Sequence, residues 1–333
     1  MNLLQDVEEV VVACPPGLAT GGTELLHQLY FKLKSFGVNI KMYYIGPRHD
    51  NPVAPRFEKY EVEYILSIKD RQSTLLVVPE TITELLENFR EIRPAIWWLS
   101  VDNYLVTRTT FRSKLKIRYW RKYLTGRLVT RPEIDFNDKR IIHLAQSQYA
   151  MDFLKHKKVD SIYYLSDYLN GVFLNQQVDY TSRYRKDIVL YNPLKGLAAT
   201  ARIMARFPQF NYVPLANMTP EQVCGLCRSA KVYIDFGHHP GKDRFPREAA
   251  ILGCCVITNR RGAAGFHQDV GIMDEYKFND DKTGLAAIGQ KISEILSNYD
   301  EKVADFHSYR KTIRHEEAVF EKSLRQIFWR ETP

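Results

Sequence analysis

The stretch HHPGKDRFPREAAILGCCVIT, residues 238 to 258, sets cations and acids directly ahead of a run of small and apolar residues. Lys242, Arg244 and Arg247 are side-chain types that grip phosphate oxygens, the guanidinium groups with paired N–H donors. Glu248 can accept from the two vicinal hydroxyls of a ribose, and His239 offers another hand to a phosphate. KVYIDFG before it reads as a strand and PREAAILG as a helix whose Pro246 suits a first turn. Residues 238–245 then form a loop at the carboxyl edge of a sheet, where open α/β sheets bind ligands. The plainer alternative is a solvated loop with Glu248 placed for the helix dipole. Three cations and one acid at this position favour an anion site.

Other loops carry the same kind of residue. YNPLKGL places Asn192, Lys195 and Gly196 between a strand and a helix, where a lysine at a helix N-terminus is either compensated by an anion such as phosphate or simply solvated. NRRG puts Arg260, Arg261 and Gly262 after the strand CCVIT. Near the start, CPPGLATGGTELL supplies Gly17, Gly21 and Gly22 ahead of a helix that can offer free amides to an anion. Its spacing is not G-x-G-x-x-G, and Glu24 stands where a phosphate-binding Walker loop needs lysine. AIWWLSVDNY ends a strand with Trp98, Ser100, Asp102 and Asn103, a set able to hold a sugar by its hydroxyls and its apolar face. Helix entry for Asp102 and Glu80, and core packing for the tryptophans, are the competing readings.

These loops need strands and helices to aim them. Apolar runs EEVVVACP, VNIKMYYIG, TLLVVPE, PAIWWLS and RIIHLAQS alternate with helical patterns, and KDIVLYN, FNYVPL, KVYIDFG and CCVIT repeat the alternation later. Near-continuous apolar strands separated by helices predict parallel sheets covered on both faces. The expected fold is α/β, with two Rossmann-like doubly wound domains facing a cleft. Residues 1–170 form an acceptor domain with a basic insertion at about 104–132, and residues 171–310 a donor domain. A helix over 311–333 packs back on the first domain.

The chain has 333 residues, 45% of them hydrophobic and 26% charged, which fits a globular enzyme or binding protein. Its net charge of +8 has a local source: nine Lys or Arg and no acid lie between Asn103 and Pro132, leaving 38 basic against 39 acidic residues elsewhere. Phe111, Tyr119, Trp120 and Tyr123 interleave with these cations, which suits an anionic lipid surface or an anionic glycan. A solvated insertion explains the segment equally well, and no nucleic-acid motif accompanies it. Five cysteines and a start without a basic n-region predict a reduced, cytoplasmic protein, with the inner membrane face as a peripheral option. Cys224 and Cys227 have redox spacing but no partner motif, so they read as structural. The second strand ends in Tyr43 and Tyr44 rather than a ribose-binding acid, which weakens a nicotinamide dehydrogenase.

PGLATGGTE, YNPLKG and HHPGKDRFPREAAILGCCVIT resemble the nucleotide-sugar glycosyltransferases of GT-B architecture, in particular the retaining family-four group of bacteria. The resemblance implies a donor site with Gly21 and Gly22 near the phosphates, Lys195 and Gly196 opening the second domain, and Glu248 on the ribose. Asn192, His239, Lys242, Arg244 and Arg247 would complete it. It implies transfer of a sugar from a nucleotide-sugar co-substrate to a hydroxyl of a glycan or lipid-linked glycan, in cell-surface polysaccharide synthesis. No cofactor is expected, and without a D-x-D motif no metal. The family's acid eight residues before the ribose acid is Pro240 here, which leaves retention or inversion open. For inversion Asp102 is the candidate base, with Glu24, Trp98 and Asn103 on the acceptor. A nicotinamide oxidoreductase and a basic nucleic-acid-binding protein are the rival readings.

Overall fold

The computed structural model describes residues 2–46, 50–107, 133–279 and 281–329. The segment 108–132, which carries the cation run, lies outside the described residues. Two units emerge: the described residues up to Gln146, Ala150–Leu165 and those from Glu321 onward form the first, and Ser147–Tyr149 with Ser166–Phe320 the second. Against the sequence reading, the division falls at residue 165 rather than 170, and the first unit takes up the chain again at residue 321 rather than 311.

In the first unit the described residues form a seven-stranded parallel sheet. Its strands are β1 (Glu9–Cys14), β2 (Ile40–Tyr44), β3 (Tyr64–Ile65), β4 (Thr74–Pro79), β5 (Arg93–Trp98), β6 (Ile142–Ala145) and β7 (Ile162–Tyr164), in the order β3-β2-β1-β4-β5-β6-β7. β1 and β4 are β-branched and leucine runs without polar alternation, and Val10, Val11, Val12, Leu75, Leu76, Val77 and Val78 are fully buried. That is what strands covered on both faces require. The helix Gly21–Ser35 starts where it does because Thr20 and Thr23 cap reciprocally: Thr20 Oγ1 accepts from the Thr23 amide and Thr23 Oγ1 from the Thr20 amide. The two-residue strand β3 is too short to give a periodic signal in the sequence.

The second unit holds β8 (Lys186–Tyr191), β9 (Asn211–Pro214), β10 (Ala230–Asp235) and β11 (Cys255–Thr258), all parallel, in the order β11-β10-β8-β9. Helices Leu197–Arg206, Pro220–Ser229, Arg244–Ile251 and Lys282–Ser297 connect or follow these strands. Val189, Leu190, Val232, Ile234, Val256 and Ile257 from the sheet pack with Ile203, Ala250 and Ile292 from the helices. The chain runs from β8 out to β9 and then crosses back to β10, so the strand order reverses between β8 and β10. Ligands of doubly wound sheets sit at that reversal, outside the carboxyl ends of the two strands. The loops there are the ones that carry Lys195 and His239.

All five cysteines are free and buried. Cys224 and Cys227 lie in the helix Pro220–Ser229, and burial pushes the Cys224 thiol up to about 11, away from the thiolate that redox chemistry needs. Among the described residues no helix is long and apolar enough to cross a membrane.

Candidate functional site

Three loops at the carboxyl edge of the second sheet are locked together by close backbone approach. Gly196, after β8, has φ +65°, and a β-carbon on it would lie 2.4 Å from the Phe236 carbonyl carbon and 2.5 Å from the Gly237 amide. Gly237, after β10, meets the Lys195 β-carbon in the same way at 2.7 Å. From the loop after β11, Asn259 Nδ2 donates to the Gly237 carbonyl at 2.6 Å and the Ala263 amide donates to the His239 carbonyl at 2.8 Å. Glycine is needed at 196 for both its left-handed backbone and its missing side chain.

On this frame stands an array of charged side chains. Asp235, the last residue of β10, accepts from the Tyr233 hydroxyl at 2.9 Å and from the Gly237 amide at 3.0 Å. Its Oδ1 lies 3.8 Å from His239 Nε2, and His239 Nδ1 lies 3.0 Å from Asp243 Oδ2. Asp243 Oδ1 in turn accepts from Lys195 Nζ at 2.8 Å. Burial of His239 disfavours its cationic form, but Asp243 and Asp235 outweigh that and leave its pKa above the usual histidine value. For Asp243, burial works to raise the pKa, and His239 with Lys195 outweighs it, so the carboxyl stays below its usual range.

Asp243 is also the N-cap residue of the helix Arg244–Ile251, so that helix begins at Arg244, two residues before Pro246. In its first turns Arg244 Nε lies 3.2 Å from Glu248 Oε1, with the two side chains 14% and 7% exposed. Asn192 is buried and its Oδ1 accepts from the Leu194 amide at 3.0 Å, fixing the turn that presents Lys195. The second unit therefore brings Asn192, Lys195, Gly196, His239, Arg244 and Glu248 to one sheet edge.

Two expected phosphate ligands are placed differently. Arg247 is fully buried, with Nη2 donating to Asp167 Oδ2 at 2.6 Å and Nη1 to Glu316 Oε2 at 2.8 Å. Burial opposes its charge and the two carboxylates outweigh it, so the guanidinium stays charged. Lys242 Nζ sits 2.7 Å from Glu316 Oε1 and donates to Ser166 Oγ at 3.3 Å. Both cations neutralise buried acids inside the unit, which corrects the reading of them as donor ligands.

Asp235, His239 and Asp243 each offer a ligand atom within 4.8 Å of the others, a spacing compatible with a metal ion. The imidazole, however, stands between the two carboxylates with a different nitrogen toward each. Each nitrogen therefore faces a carboxylate of its own, an arrangement that also suits an imidazolium held between two acids.

In the first unit the glycine loop after β1 leads into the helix Gly21–Ser35, with Gly21 exposed and Gly22 half-buried at its start. Glu24 is 1% exposed, lying 3.4 Å from Arg56 Nη2 and 3.7 Å from Lys59 Nζ and accepting from the Tyr60 hydroxyl at 3.3 Å. Trp98 is fully buried among Tyr104, Phe136, His143 and Phe153, and its indole N–H donates to His143 Nδ1 at 3.0 Å. Neither offers a face to an acceptor, which corrects both expectations. Asp102 is half-buried in the first turn of the helix Val101–Thr107, and Asn103 beside it is exposed. Glu80 is buried and accepts from the Leu99 amide at 2.9 Å, a structural role that ties the end of β4 to the end of β5.

The sequence reading missed Asp235, Gly237, Asp243 and Asn259. An acid closing a strand ahead of Phe-Gly was the available signal for Asp235. The pairing of Asp243 with Lys195 spans 48 residues and has no local signature.

No protein-family model matches the chain, and no curated protein matches its sequence. Solved structures match its fold over nearly its whole length. Sucrose-phosphate synthase from Thermosynechococcus elongatus gives a TM-score of 0.65 at 12% identity, over 96% of this chain and 98% of that one. Anabaena HepE, solved with UDP-glucose, gives 0.59 at 8% identity over 96% and 98%. WaaG, a glycosyltransferase involved in lipopolysaccharide biosynthesis, gives 0.54 at 12% identity over 94% and 99%. The likeness is one of fold: the chain has the two-unit α/β fold of GT-B glycosyltransferases, and nothing in it singles out the family-four group.

Proposed function

We propose that the chain is a glycosyltransferase that takes a sugar from a nucleotide-sugar donor, with the donor's nucleotide and phosphates held at the strand-order reversal of the second unit. One observation carries the reading: Lys195, Arg244 and Glu248 arrive from two different loops at the edge where a doubly wound sheet binds ligands. The fold shared with HepE, which was solved with UDP-glucose, supports it.

Lys195 and Arg244 supply positive charge for the leaving phosphate, and a fixed charge at the position where negative charge develops lowers the barrier without reorganisation. Glu248 takes the ribose hydroxyls, with Arg244 holding its carboxylate in place. Gly21 and Gly22 form the glycine loop that the resemblance assigns to the donor phosphates, while Asp102 and Asn103 belong to the acceptor side, with Asp102 as base if the anomeric configuration inverts; retention needs no protein nucleophile. The acceptor is a glycan or lipid-linked glycan hydroxyl in cell-surface polysaccharide synthesis. The two cations make a metal unnecessary for charge neutralisation.

Incubation with a panel of nucleotide sugars, scored by the nucleoside diphosphate released as the sugar passes to water or to an added glycan, tests the reading. Release from at least one donor, lost in Lys195→Met, is the expected result. Stabilisation by NADH alone, with every sugar nucleotide inert, would instead favour an oxidoreductase.

A further inference from the structure

The donor edge contains a charge that opposes its proposed ligand. Asp243 occupies the N-cap position of the helix Arg244–Ile251, yet its side chain makes no cap hydrogen bond. Its carboxylate turns instead to Lys195 through one oxygen, at 2.8 Å, and to His239 through the other, at 3.0 Å. Lys195 is the more exposed partner, its side chain 38% accessible against 16% for Asp243. The ammonium that would meet a phosphate is thus already engaged by an internal anion.

We propose that Asp243 competes with the donor phosphate for the Lys195 ammonium and that His239 sets how strongly it competes, the two acting as positioning residues for donor binding. This rests on the donor reading above. His239 is fully buried, and neither ring nitrogen makes an aligned hydrogen bond, so charge is what holds it in place. The groups facing it are Asp235 from the end of β10, Asp243 from the start of the helix and Lys195 from the loop after β8. From the loop after β11 it receives backbone, the Ala263 amide on its carbonyl, while Arg261 donates to the Phe236 carbonyl at 2.5 Å. Tyr233 donates to Asp235 behind it.

With His239 protonated, the array Asp235, His239, Asp243 and Lys195 is neutral. Asp243 then shares its charge with the imidazolium, and Lys195 is easily handed to a phosphate. With His239 neutral the array carries one net negative charge, concentrated beside the phosphate position, and the donor is repelled. The carboxylates on either side outweigh burial and favour the protonated, permissive form more than an ordinary histidine would hold it.

The test is calorimetric titration with UDP, with GDP, ADP and dTDP run beside it, on the full chain and on Asp243→Asn, His239→Asn and Lys195→Met. Removing the competing carboxylate should lower Kd at least threefold in Asp243→Asn. Removing the imidazolium should raise it about tenfold in His239→Asn, of the order expected for one unscreened charge near an anion. In the unaltered protein Kd should rise as the pH is taken up past the nucleotide's own phosphate ionisation near pH ~6 and His239 loses its proton, and the rise should be smaller in Asp243→Asn. A purely structural role moves both variants in the same direction, and that result overturns the proposal, as does a flat pH series should His239→Asn fail to fold. Lys195→Met binding with unchanged affinity, or no nucleotide binding to the unaltered protein, overturns the donor reading itself and the proposal with it.

Discussion

Gly196 and Phe236 stand backbone against backbone: a β-carbon on Gly196 would come within 2.4 Å of both the carbonyl carbon and the oxygen of Phe236. The contact joins the loop after β8 to the loop after β10, which is the junction that places Lys195 beside Asp243. Gly196→Ala should therefore lower stability by roughly 2 kcal/mol or more, from strain and forced separation together. Gly225, inside the helix Pro220–Ser229, has no atom within 4 Å of its hypothetical β-carbon. Gly225→Ala should raise stability by up to about 1 kcal/mol through helix propensity. Thermal melts of the two variants should move in opposite directions.

Arg247→Met should destabilise the second unit by about 3–5 kcal/mol, because it leaves Asp167 and Glu316 buried without their cation. Arg244→Met, which removes the cation from one buried acid, Glu248, rather than two, should destabilise less than Arg247→Met and should weaken nucleotide binding. Denaturant titration alongside nucleotide titration separates the two effects, and equal melting of both variants would argue against the assignment.

The contrast between these two arginines shows how far the sequence could be read. Apolar runs such as VVVAC and LLVVP identified parallel strands because both faces of the sheets are covered, and strand-end loops followed from that. Lys195 and Gly196, and Arg244 with Glu248, were legible as strand-to-helix residues. Arg247 was not separable from Arg244, since its partners Asp167 and Glu316 lie 80 and 69 residues away. Trp98 misled for the same reason: its indole partner His143 belongs to a strand 45 residues on. Polarity is local information, and burial is decided by distant chain.

Glu248→Ala should raise the Kd for a nucleoside diphosphate about tenfold, the loss of a charged hydrogen bond to ribose hydroxyls. A binding loss without a comparable loss of folding supports a ribose contact. Unchanged binding would rule the ribose contact out.

Lys277 is 4% exposed, and burial pushes its ammonium down to about 8, with Asp274 acting in the opposite sense. Between pH 8 and 10.5 the folded chain then binds fewer protons at this site than the unfolded one, so this residue's contribution to stability rises with pH through that window. Below it a buried charge is carried at a cost. Lys277→Met should raise stability by about 1–3 kcal/mol at pH 7, with the advantage shrinking toward pH 10. A variant no more stable at pH 7 than the unaltered protein would show the ammonium to be well solvated.

The most direct test of the donor site is a crystal structure of the protein with the nucleoside diphosphate that stabilises it most. The account predicts phosphate oxygens within hydrogen-bond distance of Lys195 Nζ and Arg244, with ribose hydroxyls on Glu248. A nucleotide ordered elsewhere, with the Lys195–Asp243 pair untouched and Glu248 remote from the ribose, would contradict it.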